Sequence, residues 1–275
     1  FRVGEERFGV NVAKVREIVQ VEQVRPMPLS HPTVEGTFVL REAVHLLLNL
    51  KQALGGAAER PEPPFLVLVV EVNRKTLGLL VDHVEAIHRM SWAAIEPVPS
   101  LLTSHTAPLT GIAHVGEEVV QVLDLEGIIC EVTGEAGDGI LAAGSCAAPE
   151  TFDRAEIRVL LAEDSPMIRG VVQQALEQAG YTGLAVAEDG GRAWTLLQEA
   201  EAAHTPFQLL VTDVEMPGVD GLHLLAQVRK EPSLAALPSI IYSSIVSEES
   251  ARKGRSAGAD AHITKFDMGL LVETM

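Results

Sequence analysis

Acidic, hydroxylic and basic residues stand directly after short apolar runs at four places in the chain. Glu163 and Asp164 follow VLLA, Asp213 follows LLVT, Ser243 follows SIIY, and Lys265 completes the set. Short leucine-rich or β-branched runs that give way to polar residues read as parallel strands meeting their loops. The polar side chains would then gather at one sheet edge, where open α/β sheets place their reactive crevice. Phosphoryl transfer needs an in-line nucleophile, a divalent cation, and positive or hydrogen-bonding groups for the equatorial oxygens. Three carboxylates, a hydroxyl and an ammonium supply those parts, so the set describes a magnesium-assisted phosphoryl acceptor. Singly, each residue has an ordinary explanation: Asp164 as a helix cap, Ser243 as a strand end, Lys265 as a solvated lysine. Jointly they are specific.

The elements that must position these residues follow from the same stretch. Ser165-Pro166 is an N-cap followed by proline at the first helical position, and Ile168, Val171, Val172, Leu176 and Ala179 form one apolar stripe ending at Gly180. A second helix follows Asp189 with Trp194, Leu197 and Ala200 inward. A third starts at Asp220, carries Leu222, Leu225 and Val228, and stops before Pro232. Strands alternating with such helices predict βαβ winding. A fourth helix over 247–258 offers only alanines and glycines as an apolar face, which makes its packing weak and the helix a candidate moving part.

The first half has a different period. RFGVNV, TFVL, VHLLLNL, FLVLVVEV, KTLGLLVDHV, LTGIAHV and EVVQVLDL alternate with turn signals, among them Asn73-Arg74 and Gly116-Glu117. Many short strands at this spacing predict small β-barrels. A short helix is expected at 13–19, where Val15, Ile18 and Val19 can share a face, and another from Asp124, a cap for Leu125 to Cys130. Between the halves, residues 133–156 are rich in Gly, Ala and acids with weak periodicity, the composition of a linker. The domains are therefore 1–132 and 157–275.

Composition narrows the function. The chain has 275 residues, longer than the usual domain of about 100–150 residues, and 47% are hydrophobic, ample for two cores. With 38 acidic against 21 basic residues the net charge is −17, which repels nucleic acid phosphates. Direct binding to DNA or an anionic membrane is not expected, and no apolar run approaches the roughly 20 residues that span a bilayer. Cys130 and Cys146 lack metal-type or disulfide-rich spacing and read as ordinary thiols of a reducing compartment, so the expected location is the cytoplasm. His31, His45, His83, His88, His105 and His114 also lack metal-type spacing. The sequence opens at Phe1 and stops within an expected helix, which leaves room for residues beyond both ends.

Over 157–275 the chain resembles the response-regulator receiver domains, on the acid pair, the MPGVDG loop after Asp213, Ser243 and Lys265 in that order. The resemblance implies a doubly wound, flavodoxin-like domain with parallel sheet order 2-1-3-4-5. It makes Asp213 the phosphoacceptor, a carboxylate that attacks directly and yields an acyl phosphate. Glu163, Asp164 and Asp213 would hold Mg²⁺ or Mn²⁺, with the backbone carbonyl of Glu215 as a further ligand. Ser243 would donate to one phosphoryl oxygen and Lys265 would supply fixed positive charge. His262 stands where many receivers carry a switching Tyr or Phe and adds a titratable ring. Lys265-Phe266 stands where receivers usually show Lys-Pro with a cis peptide. A cis bond before Phe266 would cost about 3–4 kcal/mol, so a different loop is expected.

Residues 1–132 resemble the CheW-like coupling domains, through FRVGEERFGVNVAKVREIVQ, RPMP, VEGTFVLREAVHLLLNLKQALG, VVEVNRKTLGLLVDHVEAIHRM and TGIAHVGEEVVQVLDLEGII. In that family two SH3-like barrels bind the kinase CheA and the tips of chemoreceptors. Arg41 matches the family's arginine of the Leu-Arg-Gly segment and is the expected partner-binding residue, with Glu42 in place of the glycine and His45-Leu46 where Ile-Pro is frequent. A CheW-like domain followed by a receiver resembles the CheV-type chemotaxis coupling proteins. That implies an adaptor at receptor arrays between methyl-accepting chemoreceptors and CheA. Such a protein is a phosphoacceptor that promotes its own phosphorylation and slow dephosphorylation, not a turnover enzyme. Two alternatives keep the same domains: the CheW-like and receiver portion of a hybrid CheA kinase, and, more weakly, an aspartyl-phosphate hydrolase in which Asp213-x-Glu215 imitates a nucleophile and acid pair. A transcription factor would need a helix-turn-helix pattern or a basic patch, and neither is visible.

Overall fold

The computed structural model describes residues 1–28, 31–56, 62–73, 75–98, 108–134, 153–244 and 248–275. They form two compact units, with the main division after Val132. Most of the expected linker, and with it Cys146, lies outside the described residues, as do His105 and Arg74.

The first unit is built on two sheets. One has the order β1-β2-β10-β9, from Arg2–Val3, Glu6–Gly9, Glu118–Leu123 and Leu109–Val115, and β8 is the short strand Ile95–Pro97. The other has the order β3-β6-β7-β5-β4, from Val15–Val21, Phe65–Val72, Lys75–Leu80, Ala43–Asn49 and Val34–Leu40. The second sheet curls so that its outer members approach: beyond β3, Arg25 exchanges two backbone hydrogen bonds of 2.8 Å with Thr37 on β4. Closure of this kind removes exposed edges. Phe38, Leu47, Phe65, Val67, Val69 and Leu80 fill the interior. Gly78 permits that packing, because a Cβ there would lie 2.6 Å from Val67 and 2.7 Å from the Phe38 ring. After β7 the chain bonds Arg2 to His83, and a shared core that includes Leu48, Leu79, Leu123 and Ile129 joins the sheets.

The helix expected over 13–19 is not formed. A 3-10 turn over Val12–Lys14 leads straight into β3, whose residues alternate half-buried and exposed until Val21. Val15, Glu17, Val19 and Val21 face one way, and Ile18 is 48% exposed. Period two with β-branched residues, together with pairing to β6, overrides the weaker spacing of three and four. The helix after Asp124 does form, as α2 over Leu125–Thr133, and the Gly127 N–H donates to Asp124 Oδ1 at 2.8 Å; a short α1 spans Leu50–Ala53.

Arg41 and Glu42 are the two loop residues between β4 and β5, with φ 49° and 70°. Positive φ at both positions is the primed turn that matches strand twist, here without glycine. Glu42→Gly is expected to raise the thermal midpoint of the first unit. Relief of about 1–2 kcal/mol of left-handed strain outweighs glycine's entropy cost of about 0.5–1 kcal/mol. Scanning calorimetry reads the shift, and an unchanged or lower midpoint would mean that the turn carries no strain.

The second unit is one parallel sheet in the order β12-β11-β13-β14-β15, from Gly183–Ala187, Arg158–Ala162, Leu209–Thr212, Ser239–Ser243 and Ala261–Thr264. Five helices intervene or follow: α3 (Pro166–Gln178), α4 (Gly190–Ala202), α5 (Gly221–Lys230), α6 (Glu248–Ala257) and α7 (Met268–Thr274). Side chains cap four of them, with Ser165 accepting from Ile168 N–H, Asp189 from Arg192, Asp220 from His223 and Asp267 from Leu270. In α3 the buried stripe is the expected one. In α5 the buried residues are Gly221, Leu224, Leu225 and Val228, with Leu222 only partly covered, and in α4 Ala193 is buried while Trp194 packs at the margin. Position 247, where the fourth helix was expected to start, lies outside the described residues. Among the described side chains of α6, only Gly254 is buried, and a Cβ there would meet Ile241 at 2.7 Å.

Candidate functional site

Register places the chemistry. β11, β13, β14 and β15 are parallel neighbours that end together at Ala162, Thr212, Ser243 and Thr264, so Glu163, Asp213, Ser243 and Lys265 emerge side by side. Glu163 is fully buried, and Asp213, Ser243 and Lys265 nearly so. Lys265 Nζ lies 2.9 Å from Glu163 Oε1, 2.8 Å from Oε2 and 3.0 Å from Asp213 Oδ2. Asp213 Oδ1 accepts the Val214 N–H at 2.6 Å. The loop after Asp213 folds tightly: the Gly221 N–H donates to the Val214 carbonyl at 3.2 Å, and a Cβ at Gly221 would fall 1.8 Å from the Asp213 carbonyl oxygen.

Asp164 joins this set, since one carboxylate oxygen each from Glu163, Asp164 and Asp213 lie within 4.8 Å of one another. The Lys265 ammonium pairs with two of these three carboxylates, Glu163 and Asp213. A hard divalent cation with oxygen ligands is the species that donor set fits. Glu215, buried, stands two residues after Asp213. Ser243 is tied to the cluster through the backbone, its carbonyl accepting the Lys265 N–H at 3.2 Å.

The residues after Lys265 take the different course expected of them. Pro63-Pro64 is the only cis peptide among the described residues, and Phe266 turns the chain with φ 69° instead. Arg169 was not among the sequence candidates, yet its Nη1 donates to the carbonyl of Glu163 at 2.6 Å and of Asp164 at 3.3 Å. Its place in the first turns of α3, just after the acid pair, suits a solvated arginine equally well, so the sequence carries no signal for it. Arg41 belongs to the first unit, where its exposed guanidinium pairs with Glu17 at 3.0 Å.

His262 lies half-buried on β15, and both ring nitrogens are buried without a hydrogen-bond partner. Burial pushes the imidazole below its ordinary value of 6.5, Arg255 adds to the effect, and Asp213 opposes it. The neutral ring is thus the form that the fold stabilises. That stability is fully present above pH 6.5 and is lost as pH falls through the depressed value. His262→Phe is expected to flatten the fall in thermal midpoint of the second unit between about pH 6.5 and pH 5, where histidine rather than carboxylate titrates. Parallel curves for the two proteins would exclude that contribution.

Two family descriptions match the chain, a CheW-like domain over residues 1–132 and a response regulator receiver domain over 159–275. Chemotaxis protein CheV3 of Helicobacter pylori is 29% identical across 94% of this chain and 84% of its own length. A gliding motility regulatory protein of Myxococcus xanthus is 26% identical over 98% of this chain, which spans 32% of that longer protein. The probable chemotaxis protein CheW of Rhizobium etli is 31% identical over 50% of this chain and 88% of its own. No helix among the described residues is long and apolar enough to cross a membrane. With its first half matched across nearly the whole of a CheW protein and its second half a receiver, the chain belongs to the CheW family and has the CheV-type domain arrangement.

Proposed function

We propose that the protein is a chemotaxis adaptor that couples methyl-accepting chemoreceptors to the histidine kinase CheA, under control of Mg²⁺-dependent phosphorylation of Asp213. The observation that carries this reading is the buried contact set of Glu163, Asp213 and Lys265 in a chain whose other half is CheW-like. Asp213 is the nucleophile: a carboxylate oxygen bonds to phosphorus as the bond from phosphorus to the phosphohistidine nitrogen breaks, and the histidine leaves with its electron pair. Glu163, Asp164 and Asp213, with the Glu215 carbonyl, would hold the cation, which when bound offsets charge on the transferring group. Lys265 moves its ammonium from carboxylate toward a phosphoryl oxygen, and Ser243 donates its hydroxyl to another. The weakly packed α6 and His262 carry the change outward, and Arg41 contacts a partner protein. Residues 133–156 join the domains, and the adaptor works in the cytoplasm at receptor arrays.

The test is reconstitution of receptors, CheA and this protein, with kinase activity and intact mass read together. The expected result is receptor control of CheA together with a Mg²⁺-dependent adduct of one phosphoryl group, and a different degree of control once the adduct forms. A protein that is labelled without restoring control would overturn the adaptor role. Rapid repeated phosphate release would favour the aspartyl-phosphate hydrolase. A second reading is the CheW-like and receiver portion of a hybrid CheA kinase, since the same pair also matches 32% of the length of a longer protein; a phosphotransfer histidine with an ATP-binding domain in the same polypeptide would establish it.

A further inference from the structure

The chain has little room to turn after Lys265. α7 begins at Met268, and Asp267 must already be placed to accept the Leu270 N–H at 3.1 Å. Phe266 makes the turn in the left-handed region, with φ 69°, although neither glycine nor asparagine stands there. Something must hold a bulky residue in that conformation. The Phe266 N–H donates to Tyr242 Oη at 2.6 Å, and the same hydroxyl donates to Met268 Sδ at 3.4 Å. One phenol thus grips the chain on both sides of the turn. Tyr242 has no exposed surface and sits on β14 immediately before Ser243, paired with Ile263 of β15. Its ring is locked by the core, so its hydroxyl is a fixed point.

We propose that Tyr242 is a positioning residue for Lys265: by holding Phe266 in the left-handed conformation, its hydroxyl fixes where the chain leaves β15 and so keeps the Lys265 ammonium on Glu163 and Asp213. The role rests on the acceptor reading above, because the placement of Lys265 matters to rate only if a phosphoryl group arrives there. Tyr242→Phe removes the hydroxyl and keeps the packed ring. The full chain is treated with acetyl phosphate and Mg²⁺ and adduct formation is followed by intact mass. Tyr242→Phe should slow labelling about tenfold, within the loss that misplacement of a reacting group by 1 Å can cause. Adding Phe266→Gly to Tyr242→Phe should bring the rate back to within about twofold of wild type, because glycine adopts the turn unaided. In a Lys265→Ala background, Tyr242→Phe should change the rate by less than about twofold, as expected of residues acting through one group. A full tenfold loss in that background would overturn the proposal, and so would failure of Phe266→Gly to rescue. Hydrogen exchange at the Phe266 amide separates the two readings. A wild-type protein that takes no phosphoryl group sinks the acceptor assignment, whereas a Phe266 amide that exchanges no faster in Tyr242→Phe sinks the positioning role however labelling falls.

Discussion

Asp213→Asn is expected to abolish the phosphoryl adduct completely while leaving the second unit folded. An amide oxygen is a poor nucleophile toward phosphorus and cannot form a stable acyl phosphate, so no residual rate should survive at this position. The packing barely changes, since amide and carboxylate have nearly the same volume. Oδ1 can still accept the Val214 N–H, now at 2.6 Å from Asp213. Two electrostatic consequences oppose each other. The Lys265 ammonium loses its partner at 3.0 Å but keeps both oxygens of Glu163, at 2.9 and 2.8 Å, while Glu163 and Asp164 lose a repelling neighbour. The net change in unfolding free energy without divalent cation should stay below about 1 kcal/mol, the middle of the range for point substitutions. Intact mass after acetyl phosphate and Mg²⁺ reads the first expectation, and urea denaturation without Mg²⁺ reads the second. Labelling that persists at another residue would remove Asp213 from the mechanism.

The second unit was legible because its signals are local. Ser165-Pro166, Asp189 and Asp220 each announce a helix within three residues of their own position, and each is a cap in the structure. Strand ends mark themselves where apolar runs stop, which is why Glu163, Asp164, Asp213, Ser243 and Lys265 stand out as a set in the sequence. Where two local patterns compete, the sequence alone does not arbitrate. Val15, Ile18 and Val19 satisfy a helical spacing as well as an extended one, and only pairing with β6 decides for the strand.

Other features depend on contacts that no local pattern announces. Arg41 and Glu42 occupy a primed turn that glycine or asparagine normally signals, so the turn's type was hidden by its residues. Phe266 departs visibly from the usual Lys-Pro pair, but the compensation comes from Tyr242, 24 residues earlier and on a neighbouring strand. Arg169 reaches back along its own helix to two carbonyls of the acidic loop, a role that charge and position alone do not distinguish from a solvated arginine. His262 shows the converse: the sequence marks its position, and the structure adds that burial strips both ring nitrogens of partners.

Lys265→Ala is expected to be the most destabilising single change at the site, and its cost should depend on magnesium. The Lys265 and Glu163 side chains are 1% and 0% exposed and Asp213 is 3% exposed, so the ammonium is the compensating charge for carboxylates that water cannot reach. Removing one partner of a buried ion pair typically costs about 3–5 kcal/mol, because the other charge is left uncompensated. Here the variant takes the ammonium away from a cluster of three carboxylates. A cation held by the same carboxylates replaces part of the lost compensation. Mg²⁺ at a hundredfold excess over its dissociation constant stabilises the folded state by about 2.7 kcal/mol, and the variant, with the more negative cluster, should bind it more tightly than wild type. Adding Asp213→Asn to Lys265→Ala removes one of the stranded charges and should recover part of the loss, although the same substitution alone is nearly neutral. Urea denaturation of the four proteins, with and without Mg²⁺, measures each term. If Lys265→Ala proves no less stable than wild type in the absence of magnesium, or if Mg²⁺ stabilises both equally, the buried ammonium is not the charge that balances this cluster.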